Sequence, residues 1–274
     1  MRRVLLGLYT YLEFSACVLA WVPILATVRL LHPDDLRLRG RWMRRFGRTT
    51  VRLSPLWKFS VEGTPPADIL TAGYVVVANH ESTADPFLLC SLPWDMRWIS
   101  KQELFRLPLV GQLLRWGGDI PLRRGDRDSV REMMATSLAT LEGGLPLMMF
   151  PEGTRSADGT LGKFKEGAFQ LAIEAGVPVL PLAIEGTRAC RPKGSWWFGA
   201  ARARVRVLEP IATHGLGATD VATLTALARQ RIGDALADMR GTTKATAPAT
   251  APLVAAAVAA AAPPVRAPEP AALT

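Results

Sequence analysis

The run from Val4 to Leu31, VLLGLYTYLEFSACVLAWVPILATVRLL, sets the first constraint on this chain. It is long enough to cross a bilayer, which takes about 20 apolar residues in a helix. Glu13 and Pro23 lie inside it. A carboxylate at the bilayer centre costs at least ~2.5 kcal/mol, and a proline bends a helix. Basic residues flank both ends, so on the positive-inside rule both flanks belong on the cytoplasmic side. The expectation is a monotopic or re-entrant anchor rather than a clean span. A cleaved signal peptide fits less well. Arg2-Arg3 suits an n-region, but Glu13 interrupts the apolar segment and no A-x-A site follows. Phe14-Ser15-Ala16-Cys17 carries only a faint lipoprotein pattern, with the same interruption.

The charge follows the same segment. Net charge is +9, and residues 1–60 hold 11 Lys and Arg against Glu13, Asp34 and Asp35, which is +8 of that total. A nucleic-acid binder more often spreads its charge over a folded face with a reading motif. A basic block directly after an apolar stretch suits a juxtamembrane segment held on anionic headgroups, at ~1 kcal/mol per cation. The expected partner is therefore a bilayer with anionic lipid, on the cytoplasmic face (the inner membrane in a bacterium), and not nucleic acid. Residues 241–274 hold 14 Ala and 6 Pro with almost no charge and read as a low-complexity disordered tail. Three scattered cysteines exclude a disulfide framework and a CxxC site, and three scattered histidines argue against a metal cluster.

Between these ends, short apolar runs alternate with helical periodicity. Gly73–Asn79, Leu145–Phe150, Val177–Ile184 and Ala203–Leu208 read as buried strands. Asp128–Leu141, Phe164–Ala175 and Thr219–Met239 read as helices, and Asp85-Pro86 starts another with Asp85 as its cap. The fold class is α/β: a mostly buried mixed sheet flanked by helices, preceded by a membrane-associated helical segment. The expected organisation is 1–60 for the membrane segment and basic region, 61–240 for the α/β domain and 241–274 for the tail. No internal repeat stands out.

Four places carry chemistry. In Asn79-His80-Glu81-Ser82-Thr83-Ala84-Asp85 a histidine follows a buried strand and an acid opens the next helix. A loop of that length lets Asp85 reach one imidazole nitrogen, so that His80 acts as a general base on a hydroxyl. The same residues read alternatively as a loop histidine and a helix cap. In Phe150-Pro151-Glu152-Gly153-Thr154-Arg155-Ser156, Gly153 permits a tight turn, and backbone N–H groups, the Thr154 hydroxyl and Arg155 suit a phosphate. Glu152 would pair with a basic group or orient Arg155; the alternative is an ordinary polar turn. Arg123 and Arg124, after Gly117-Gly118-Asp119-Ile120-Pro121-Leu122, and Lys101 upstream read as a second cationic wall or as surface charge. Val177-Pro178-Val179-Leu180-Pro181-Leu182-Ala183-Ile184 reads as the lining of a hydrocarbon channel or as a core strand. The Trp196-Trp197-Phe198 cluster, flanked by Arg191, Lys193 and Arg202, is an interfacial anchor or a packed corner.

In their order and spacing, NHxxxxD, a Gly-to-Arg segment, FPEGTRS and VPVLPLAI resemble the glycerophospholipid acyltransferase family, and within it the 1-acyl-sn-glycerol-3-phosphate (lysophosphatidic acid) acyltransferases. The resemblance covers Gly73 to Gly186. The family's GxxFIDR reads Gly-Gly-Asp-Ile-Pro-Leu-Arg here, with Arg123 on the family arginine. The resemblance implies acyl transfer from an acyl-CoA or acyl carrier protein thioester to the hydroxyl of a lysophospholipid acceptor. It implies His80 and Asp85 as the catalytic pair, and Glu152, Gly153, Thr154, Arg155, Arg123 and Lys101 at the acceptor phosphate. Neither metal nor resident cofactor is expected, since the thiolate leaves readily, and no covalent acyl-enzyme is expected. Competing readings are the same chemistry on another lysolipid such as a lyso-ornithine lipid, a thioester or lipid hydrolase, and a non-catalytic lipid binder.

Overall fold

The structure is a computed structural model and describes residues 2–241, with side chains from residue 5. The chain runs α1 (Arg2–Leu31), α2 (Leu36–Leu53), β1 (Trp57–Glu62), β2 (Val75–Ala78), α3 (Asp85–Leu89), β3 (Arg97–Lys101), α4 (Val110–Gly117), β4 (Ile120–Leu122), α5 (Arg127–Glu142), β5 (Leu147–Met149), α6 (Gly167–Glu174), β6 (Val179–Glu185), β7 (Ala201–Val207) and α7 (Val221–Met239). The strands form one seven-stranded sheet in the order β1-β7-β6-β2-β5-β3-β4. Neighbours are parallel except β6 and β7, so the sheet is mixed, as expected.

Burial on both faces explains the apolar runs. In β2, Val75 and Val77 face a core built with α5, α6 and α7, while Val76 and Ala78 face a second core around Leu88, Leu89 and Trp94. All four β2 residues are fully buried, as are Val179, Leu180, Leu182, Ala183 and Ile184 of β6. The Val177–Ile184 run is therefore a core strand, and its side chains serve the two cores rather than a channel.

The basic N-terminal block takes a form that charge alone did not reveal. It is the amphipathic helix α2, capped by Asp35, whose carboxylate accepts the Leu38 N–H at 2.7 Å. α2 runs antiparallel to α1: Tyr9 donates to the Leu53 carbonyl, Phe14 packs on Phe46, and the Trp21 indole donates to the Trp42 carbonyl. Several of its arginines hold it to the sheet domain. Arg37 donates to the carbonyls of Leu70, Gly143 and Gly144, Arg39 to those of Pro33, Arg115 and Trp116, and Arg44 to that of Leu92, with an ion pair to Asp95 at 3.0 Å. Arg45, Arg48 and Arg52 remain exposed.

α1 also packs on α4. Cys17, Val18 and Leu25 are buried with Phe46 and Leu113, and Glu13 is turned inwards at 7% exposure. Its other side exposes Leu5, Leu8, Leu12 and Leu19. One side of α1 is thus seated on the domain, and Glu13 lies on that side rather than on the apolar one.

Four further elements escaped the sequence reading: β1, β3, α4 and β4. The boundary expected between residues 60 and 61 falls inside β1, which pairs with β7. The tail expected over 241–274 lies outside the described residues from position 242 onwards.

Candidate active site

All strands parallel to β2 deliver their carboxyl ends to one edge of the sheet, where loops carry ligand-binding groups in open α/β folds. β2 is central there, with β5 on one side and β6 on the other. The loop after β2 is fixed first by Asn79. Its side-chain amide donates to the Ile184 carbonyl at 2.8 Å and accepts the Ile184 N–H at 2.7 Å, so it continues the ladder onto β6.

His80 follows. Its Nδ1 lies 2.6 Å from Asp85 Oδ2, and its ring stacks on Phe150 with centroids 4.1 Å apart. Asp85 is fully buried. Its Oδ2 also accepts the N–H groups of Glu81 at 2.8 Å and Ser82 at 3.0 Å, and Oδ1 accepts the Thr187 hydroxyl. A carboxylate accepts only, so Nδ1 is the donor in this contact, and in the neutral imidazole the lone pair is then on Nε2. Asp85 is not the helix cap that its position before Pro86 predicts. It is the first residue of α3, Ala84 is the cap residue, and the carboxylate turns back to close its own loop. The distances show a histidine braced by Asp85 rather than a free loop histidine.

The loop after β5 is tied to the His80 loop. The Ser156 N–H donates to the His80 carbonyl at 2.8 Å, and the His80 N–H donates to Glu152 Oε1 at 2.8 Å. Glu152 Oε2 accepts the Gly162 N–H at 2.9 Å. Both oxygens of this buried carboxylate thus engage backbone amides, and neither a basic side chain nor Arg155 is its partner. Gly153 has φ +67°, and a Cβ there would sit 3.1 Å from Lys165 Cε, so glycine both permits the turn and admits the lysine.

A cavity of about 430 Å³ opens here, lined by Thr154, Arg155, Lys163 and Lys165 among others. Lys193 Nζ donates to the Arg155 carbonyl at 3.1 Å. Lys163 and Lys165 were missed in the sequence. The signal was the alternation Gly162-Lys163-Phe164-Lys165, which puts two cations a short loop beyond FPEGTRS.

Lys101 and Arg123 end β3 and β4 on this same edge, two and three strands from β2. Both are exposed and paired locally, Lys101 with Glu103 at 3.1 Å and Arg123 with Asp126 at 2.9 Å. Among the described residues, no hydrogen bond or ion pair joins either to the His80 loop or to the cavity. The structure brings His80, Asp85, Glu152, Gly153, Thr154 and Arg155 together and leaves these two as outlying cations.

With this geometry in place, the likeness to known proteins becomes specific. Residues 60–185 match the family model described as Acyltransferase. The sequence is 34% identical over 188 residues to 1-acyl-sn-glycerol-3-phosphate acyltransferase BAT2, chloroplastic, of Brassica napus, covering 65% of this chain and 54% of that one. It is 36% identical over 160 residues to 1-acyl-sn-glycerol-3-phosphate acyltransferase alpha of Homo sapiens, covering 57% of this chain and 56% of that one. The chain spans about half the length of these curated relatives. The crystal structure of the 1-acyl-sn-glycerophosphate (LPA) acyltransferase PlsC from Thermotoga maritima superposes with a TM-score of 0.70 at 27% identity, covering 85% of this chain and 96% of that one. Over residues 60–185, which hold β2 to β6 and the loops described above, the chain resembles the acyltransferase family. Within that family its similarity is to members named for 1-acyl-sn-glycerol-3-phosphate.

One acid of the site is out of its ordinary range. Burial, and secondarily the charge of Asp85, push Glu81 up to about 7, against the opposing pull of Arg240. Glu185 adds to the rise, and the Arg188 backbone N–H opposes it. Between its ordinary 4.5 and about 7 the folded state holds a proton that the unfolded chain releases, so this group's contribution to stability falls as pH rises through that window. Urea unfolding of wild type and Glu81→Gln from pH 4 to 8 should show the stability difference (wild type minus variant) declining across the window and flat above it. A difference independent of pH would contradict the assignment.

Proposed function

We propose that the protein is an O-acyltransferase that moves a fatty acyl group from an acyl-CoA or acyl carrier protein thioester to the free hydroxyl of 1-acylglycerol-3-phosphate, making phosphatidic acid. The observation that carries this reading is the His80–Asp85 pair, whose loop is hydrogen-bonded through the His80 carbonyl and the Ser156 N–H to the loop lining a cavity with three cationic side chains.

The acceptor hydroxyl is a weak nucleophile at neutral pH. His80 Nε2 takes its proton as the oxygen attacks the thioester carbonyl. The imidazolium so formed is stabilised by Asp85 across the 2.6 Å contact. The C–S bond then breaks, the new ester remains, and the imidazolium returns its proton to the departing thiolate. The step balances without metal or resident cofactor, and no acyl group passes through the enzyme covalently.

The acceptor phosphate is held by Arg155, the Thr154 hydroxyl and the Gly153 turn, with Lys163 and Lys165 beside them. Lys101 and Arg123 form the outer cationic rim of the same sheet edge. Holding the phosphate places the hydroxyl, and such positioning supplies ~7–11 kcal/mol of barrier reduction in well-oriented systems.

The substrates are lipids, and the apolar side of α1 gives the protein a surface for them. Leu12 is 71% exposed, and the neighbouring loop exposes Trp196 at 75%. That loop is fastened to α1: the Tyr11 hydroxyl donates to the Trp196 carbonyl at 2.5 Å, and the Trp197 ring covers Gly7. We read this surface, with exposed Arg45, Arg48 and Arg52 of α2, as a monotopic contact with an anionic bilayer.

Purified protein supplied with labelled acyl-CoA or acyl carrier protein should acylate 1-acylglycerol-3-phosphate. His80→Ala should lose at least ~100-fold in kcat with its thermal unfolding unchanged, and Arg155→Ala should chiefly raise the acceptor KM. Preference for a phosphate-free acceptor would contradict the phosphate site, and release of free fatty acid without acceptor would favour a hydrolase. The double variant Leu12→Glu/Trp196→Glu should lose most of its co-sedimentation with vesicles of anionic lipid, and undiminished binding would place the contact elsewhere.

A further inference from the structure

The tetrapeptide Glu-Gly-Thr-Arg occurs twice, at 152–155 and at 185–188, a repetition too short to stand out in the sequence. The structure gives it meaning. One copy lies in the turn after β5 and the other begins on the last residue of β6, and these two strands flank β2. In each, the glycine has positive φ, +67° at Gly153 and +91° at Gly186. At Gly186 a Cβ would lie 2.3 Å from the Arg202 carbonyl oxygen, so only glycine turns the chain there.

The two threonines then part company. Thr154 is exposed at the cationic cavity, whereas Thr187 is fully buried against Asp85. The Thr187 hydroxyl donates to Asp85 Oδ1, the oxygen that His80 does not use. The second copy is also fastened to the loop that continues from the first, since Arg188 donates to the Ala157 carbonyl at 3.1 Å.

A hydroxyl has one proton to give, and two carboxylates face this one. Glu81 Oε2 is 3.5 Å from Thr187 Oγ1, at the outer limit for a hydrogen bond. Its other oxygen is held by Arg240 at 2.8 Å. Arg240 thus draws Glu81 away and leaves the Thr187 proton to Asp85. Without that hydroxyl, Oδ1 is a buried carboxylate oxygen with no donor, and nothing fixes the carboxylate against rotation about its Cβ–Cγ bond except contacts on Oδ2.

We propose that Thr187, from the second Glu-Gly-Thr-Arg copy, is a positioning residue for the proposed reaction: it locks the Asp85 carboxylate in the plane that presents Oδ2 to His80 Nδ1. This rests on the His80 general-base reading. One copy thereby serves the substrate phosphate and the other serves the base.

The test compares Thr187→Val, which keeps shape and loses the hydroxyl, with Thr187→Ser, which keeps it. Thr187→Val should lower kcat by about tenfold to a hundredfold while the acceptor KM stays within about twofold, and Thr187→Ser should recover kcat to within about threefold. The same full-length proteins give a signature independent of substrate, the downfield proton NMR resonance of His80 Nδ1–H. It should match wild type in the serine variant and be shifted or broadened away in the valine variant. A valine variant with wild-type kcat and wild-type resonance would overturn the proposal, as would equal kcat losses in both variants. Absence of acyl transfer by wild type would overturn the proposed function instead, and the resonance comparison would still decide the brace.

Discussion

A fully buried carboxylate is an expensive object. Removing its charge from water costs several kcal/mol even after relaxation, unless donors replace the lost hydration. Asp85 is given four: the His80 ring, two backbone N–H groups of its own loop and the Thr187 hydroxyl. Each donor constrains the segment that brings it. The backbone pair closes the loop from Glu81 to Asp85, the hydroxyl ties β6 to α3, and the ring is turned so that Nε2 is the nitrogen left for chemistry. The buried charge and the orientation of the proposed base are one requirement.

The sheet meets that requirement by topology. Because β5, β2 and β6 are adjacent and parallel, their three outgoing loops converge without any long connection. Asn79 and Glu152 then convert adjacency into fixed register. One is a side-chain extension of the ladder onto β6, and the other is a carboxylate shared between the amides of His80 and Gly162. These residues hold backbone, and both oxygens of Glu152 are engaged by amides rather than by the cations that line the cavity.

What the sequence revealed follows from which forces are local. β2, β5 and β6 are legible as unbroken apolar runs because both faces are buried. β4 is three residues long and contains Pro121, and β3 opens on Arg97, whose guanidinium is satisfied by Thr140 and the Gly118 carbonyl far along the chain. Neither has a local signature. The arginines of α2 read as a membrane-facing block, yet Arg37, Arg39 and Arg44 spend their donors on carbonyls of the domain, which no local pattern discloses. His80, Asp85 and Arg155 could be singled out because each sits in a short motif directly after an apolar strand, and the order and spacing of those motifs carry the resemblance. The partners of Glu152 and the bond from Thr187 to Asp85 depend on strands that meet only in the folded sheet.

The claim at the centre is that Asp85 acts by holding the His80 imidazole in one tautomer with Nε2 unprotonated. Asp85→Asn changes no volume and tests it directly, with wild type and variant compared in single-turnover acyl transfer under saturating 1-acylglycerol-3-phosphate and acyl-CoA. The account predicts a loss of about 10⁴-fold, the scale seen when an amide replaces the orienting acid of such a pair, with far-UV circular dichroism unchanged. A variant within tenfold of wild type would show that the acid does not orient the base and would contradict the account.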